Sequence, residues 1–85
     1  MMRLAGIELT DDSLLALVTR LRRADLDNQA DRIVDALMSM QTEVTLTQPD
    51  RIAILTVLDD PPAGLEELRA TLLQEHVGRV REELA

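Results

Sequence analysis

The stretch Glu43-Val44-Thr45-Leu46-Thr47-Gln48-Pro49-Asp50 decides how this chain of 85 residues is to be read. Its first five residues alternate polar and apolar and include β-branched side chains, a pattern that favours extended backbone. One short run of this kind cannot build a sheet without partners, so it reads as an extended linker. Its last four residues announce a helix. Thr47 can cap, Pro49 falls in the first turn where a missing N–H costs nothing, and Asp50 holds the capping-box position. With this stretch as a connector, the expected fold is all-α: a compact four-helix bundle in a single helical domain over residues 1–85, with a short extended linker between helices two and three.

Upstream, Thr10 precedes Asp11 and Asp12, which suit the positive end of a helix dipole, and Leu9 can staple onto Leu14. Leu14, Leu17, Val18 and Leu21 then fall on one stripe while Thr19, Arg20 and Arg23 face away, giving an amphipathic helix one that ends near Ala24. Asp25-Leu26-Asp27-Asn28 supplies the next turn and cap. Leu26, Ala30, Ile33, Val34, Leu37 and Met38 repeat behind it at helical spacing, with Asn28, Asp31, Arg32, Asp35 and Ser39 on the solvated side. The short connection makes helices one and two an antiparallel hairpin.

Helix three, near Gln48 to Asp59, carries Ala53, Ile54, Leu55, Val57 and Leu58 over more than half its circumference and is expected at the centre. Asp60-Pro61 ends it, because the residue before a proline is pushed out of the helical region. Helix four is expected from around Pro62 to Leu84. It reads as continuous through Gly78, although a mid-helix glycine costs about 1 kcal/mol relative to Ala.

Composition narrows the function classes. Hydrophobic residues make up 46 % of the chain and charged residues 29 %, the balance of a folded protein. With 0 % aromatic residues there are no stacking platforms for bases and few of the side chains that anchor tight interfaces. Nine basic against sixteen acidic residues leave a net charge of −7, which repels phosphate backbones and anionic lipid and argues against nucleic acid as a partner. Every basic residue is Arg, a usage associated with GC-rich bacterial genomes. The absence of Cys removes disulfides, thiolate nucleophiles and Cys-based zinc sites. Glu8 interrupts the start too early for a signal peptide. No apolar run approaches the roughly 20 residues of a membrane span, so no membrane association is expected and the cytoplasm is the expected location.

No constellation points to catalysis, a metal or a cofactor. Asp25-Leu26-Asp27-Asn28-Gln29-Ala30 opens like a calcium loop, but Ala30 stands where the sharp turn needs Gly and Ala36 where the bidentate Glu belongs. His76 is the only histidine, in line with Leu65, Leu68 and Leu72, and reads as a hydrogen-bonded boundary residue. Arg20, Arg22 and Arg23 read as stabilising the negative end of helix one, and Asp59 and Asp60 as a solvated turn.

Arg51-Ile52-Ala53-Ile54-Leu55 through Leu58, then Pro61-Pro62, then Gly64-Leu65-Glu66-Glu67-Leu68 resembles the second and third helices of a winged-helix regulator, over about a quarter of the chain. The resemblance implies a DNA-binding transcriptional regulator. The sequence departs from that pattern where Leu72-Leu73-Gln74-Glu75-His76 runs straight on instead of giving a polar turn and a basic recognition helix.

Ala70, Leu73, Val77, Val80 and Leu84 follow three-four spacing, a heptad seam about two heptads long. That length serves either one edge of the bundle or an interface with a partner helix. The expected function is a non-catalytic helical interaction or small regulatory module, not an enzyme, whose partner is another protein or a second copy meeting helix four through these five residues.

Overall fold

A computed structural model describes residues 2–84, with the side chains at 83 and 84 outside the description. Four helices are joined by a small sheet, so the fold is α+β and the all-α bundle expected from sequence is corrected. The sheet is made by β1 (Met2–Leu4), β2 (Ile7–Leu9) and β3 (Glu43–Val44), in the order β2-β1-β3. β1 and β2 form an antiparallel hairpin that pairs Met2 with Leu9 and Leu4 with Ile7. Its turn, Ala5-Gly6, holds φ of 52° and 78°, positive at both central residues as the twist of a two-residue hairpin requires.

The stretch read as a linker is therefore half strand. β3 lies parallel to β1 with Arg3 opposite Glu43 and Leu4 opposite Val44, and Arg3 N–H donates to the Thr42 carbonyl at 2.9 Å. The run did need partners, and the N-terminal hairpin supplies them. The pleat turns Met2, Leu4, Leu9 and Val44 into the core, all 8 % exposed or less. On the outer face Arg3 sits between Glu8 and Glu43, an alternation of charge that suits neighbouring strands.

α1 (Asp11–Arg23) begins where the sequence places it, with Thr10 Oγ1 accepting from Ser13 N–H at 3.2 Å. It buries Leu14, Leu17, Val18 and Leu21 and packs on both α2 and α3. The central helix is thus α1, not helix three as expected. α1 ends in a left-handed turn: Asp25 has φ 59°, Leu26 N–H donates to Leu21 C=O at 2.9 Å and Asp25 N–H to Arg22 C=O at 3.1 Å. This Schellman closure starts α2 (Asp27–Met38) directly at Leu26, without the side-chain cap expected from the aspartates. α2 closes in the same way. Met40 takes φ 56° and Gln41 N–H donates to Ala36 C=O at 3.0 Å.

α3 (Gln48–Val57) carries the full Thr47–Asp50 capping box. Asp50 is 4 % exposed, and its carboxylate accepts from both Thr47 N–H and the Arg32 guanidinium. Arg32 also donates to the Thr45 carbonyl at 3.1 Å, so one α2 side chain ties down both halves of the stretch between β3 and α3. α3 buries Ala53, Ile54 and its C-cap Leu58, whereas Leu55 and Val57 are only half-buried and Ile52 is exposed.

α4 (Glu66–Leu84) runs unbroken through Gly78, but starts at Glu66, four residues later than the expected Pro62. The delay comes from Gly64, whose φ of 95° no helix accommodates, and whose N–H donates to Glu66 Oε2 at 2.9 Å. That φ favours glycine where this turn crosses α1, and a Cβ there would stand 2.6 Å from Ser13 Oγ and push that hydroxyl aside.

Candidate functional site

α4 is built with two apolar sides. Leu65, just before it, and Leu68 and Leu72 are at most 1 % exposed and seal the core. The same side continues as polar contacts with α3: Glu75 lies 3.5 Å from Arg51, and Arg79 donates to Gln48 Oε1. At about 100° per residue, the line of Ala70, Leu73, Val77 and Val80 lies roughly 120° round the helix from the leucines. It is aimed away from the chain's own core. Leu73, Val77 and Val80 are 39 %, 41 % and 40 % exposed, and Ala70 is exposed. Leu84, the fifth residue of the expected seam, has its side chain outside the described residues.

The geometry of the whole molecule sets this side apart. Every residue from Leu73 to Glu82 is exposed, so the second half of α4 projects beyond the body, and the molecule measures 41 Å along its longest axis against 25 and 24 Å across. Beside the seam runs an open groove lined by Leu73, Gln74, Val77, Gly78 and Arg81. A Cβ at Gly78 would touch nothing within 4 Å. Glu67, Gln74 and Arg81 flank the seam on this side at seven-residue spacing, and the sequence reading did not single them out. Their heptad positions are the signal that could have found them.

The other polar groups take structural positions. Arg20, Arg22 and Arg23 all lie in the last turn of α1, and two of them also bond beyond it. Arg20 reaches across to donate to the carbonyls of Val57 at 3.1 Å and Asp60 at 2.6 Å, capping the end of α3. Arg22 pairs with Asp31 at 2.9 Å and Asp27 at 3.8 Å, bridging to the start of α2, while Arg23 is exposed. The Asp25–Ala30 stretch is thereby a helix junction whose Asp27 faces an arginine. His76 is exposed rather than a hydrogen-bonded boundary residue; it makes no hydrogen bond among the described residues. It borders a cavity of about 10 Å³ between α3 and α4, room for a single water. Among the described residues, no group of three or more His, Asp or Glu side chains is placed to hold a metal ion. No described helix is long and apolar enough to cross a membrane.

Compared with protein-family models, curated proteins and solved structures, the chain matches none.

Proposed function

We propose that this protein is a non-catalytic interaction module that docks a protein partner against the outward side of α4. The observation that carries this reading is the line of Leu73, Val77 and Val80, half-exposed on a projecting helix whose other side already seals the core. Single exposed apolar side chains are ordinary on a protein surface, but a line of them at heptad spacing is what a partner helix fills. Leu15 on α1, Ile52 on α3 and Met38 and Met40 at the end of α2 are also exposed, without forming such a line on their elements.

The winged-helix reading would send α4 into a DNA groove. Its first turn, however, presents Glu66 and Glu67, and its exposed length adds Gln74, Glu75 and Glu82 against Arg79 and Arg81. Such a surface meets phosphate oxygens with carboxylates, and Arg51 of α3 is already taken up by Glu75.

The test is a photoreactive amino acid placed at Val77 or Val80 in the native host, with Asp12 on α1 as the exposed control. Illumination should link Val77 and Val80 variants to a protein chain and leave the Asp12 variant free. Val77 and Val80 variants that link to no protein would sink the proposal.

A further inference from the structure

Resting on the reading that the outward side of α4 is a docking surface, we infer that its occupant is a second copy of this chain, with the two α4 helices antiparallel. The argument is one of charge complementarity. Along Glu66–Leu84, α4 carries five carboxylates (Glu66, Glu67, Glu75, Glu82, Glu83) and three arginines (Arg69, Arg79, Arg81). Both signs of charge lie along this one helix, so a second copy of it can set an opposite charge against each.

Orientation follows from the flanks of the seam. With Ala70 and Val77 at one core position of the heptad and Leu73 and Val80 at the other, Glu67, Gln74 and Arg81 fall on one flank and Arg69 and His76 on the opposite flank. In a parallel, in-register pair, opposite flanks meet. Arg81 would then face His76 of the second copy and Arg69 would face Gln74, which leaves Glu67 with no cation opposite.

In an antiparallel pair, like flanks meet. Packing Leu73 against Val77 of the second copy sets Ala70 against Val80 and brings Glu67 opposite Arg81, while the two-fold axis repeats the pair with the roles exchanged. Gln74 then lies beside its own copy near the axis. Every apolar residue of the seam among the described side chains has an apolar partner, and each end of the contact is closed by an opposite charge. The core face of α4, Leu65, Leu68 and Leu72, stays on its own body, so the two folds sit on the outer sides of the helix pair.

The experiment is sedimentation equilibrium on the full chain, with circular dichroism to check helix content. The wild type should show a concentration-dependent mass approaching the dimer. Glu67→Arg alone and Arg81→Glu alone should each raise the dimer Kd roughly fivefold to tenfold, because two exposed pairs turn repulsive at once, and the double exchange should restore it. Since the chain has no cysteine, single-cysteine variants report orientation directly. Gln74→Cys should form a disulfide-linked dimer under mild oxidation, and Val77→Cys should do so far more slowly.

Fast crosslinking of Val77→Cys with none at Gln74→Cys would mean a parallel pair and overturn the antiparallel inference. So would a double exchange that fails to restore what the single exchanges lose. A wild type monomeric at millimolar concentration would overturn the second copy as occupant. In that case, photocrosslinking from Val77 to another protein leaves the docking reading standing, and no crosslink removes both.

Discussion

Three of the described non-glycine residues take a positive φ, Ala5 in the hairpin turn and Asp25 and Met40 beyond helix ends, and the last two separate local cost from structural need. Asp25 and Met40 both occupy the left-handed region at the ends of helices, with φ of 59° and 56°. Asp visits that region readily, whereas Met gains nothing there, and Met40 is 87 % exposed, so its side chain contributes no burial in return. Met40→Gly should therefore raise stability by about 1 kcal/mol, read as a higher urea midpoint at unchanged slope. Gly78 is the reverse case. It lies mid-helix with open space where a Cβ would stand, so Gly78→Ala should also stabilise by about 1 kcal/mol in the same measurement. At Gly64 the same exchange should destabilise, since its φ is positive and the Ser13 hydroxyl would have to turn aside.

Among the elements, α1 and α3 divide the core unequally. α1 places Leu14, Leu17 and Leu21 at 0 % exposure between α2 and α3, whereas Leu55 on α3 faces the small cleft shared with His76 and is only half-buried. Leu17→Ala should cost about 2 to 5 kcal/mol in thermal or urea unfolding, and Leu55→Ala clearly less. Equal losses would show α3 to be as central as its wide apolar face suggested. That face misled because an apolar side chain signals burial only when a neighbour arrives to cover it. Ile52 is one such residue, 47 % exposed. α4 repeats the pattern, since two of its sides are apolar and only the leucine side is covered.

Over the whole molecule, the N-terminal hairpin closes the fold. Met2, Leu4 and Leu9 are at most 2 % exposed, and each fully buried side chain of this size stabilises by about 1.5 to 3 kcal/mol. Their combined contribution is comparable with the roughly 5 to 15 kcal/mol of net stability typical of a small domain. Deleting residues 1–9 should therefore abolish the cooperative thermal transition seen by circular dichroism, even though all four helices are left in the chain. A truncated chain that still melts cooperatively would show that the helices fold as a bundle without the sheet.

The sequence by itself determined what depends on neighbours a few residues away. Thr10 and Thr47 start α1 and α3, Asp50 completes its capping box, and α4 continues through Gly78, because caps and staples act within one turn of helix, whereas α3 ends at Val57, two residues short of the Asp59 expected from Asp60-Pro61. The line from Ala70 to Val80 was legible in the same way, as spacing along one helix. Tertiary structure decided the rest. The pairing of β1 with β3 joins Arg3 to Glu43, forty positions apart, and a strand's hydrogen bonds have no partner within its own stretch, so Glu43-Val44 could not declare itself. Arg20, near the end of α1, was drawn to the carbonyls at the end of α3 by a contact that periodicity does not encode. Which side of α4 is buried was settled likewise by where α3 lies, since spacing tells which residues share a side of a helix and only packing tells which side meets a neighbour.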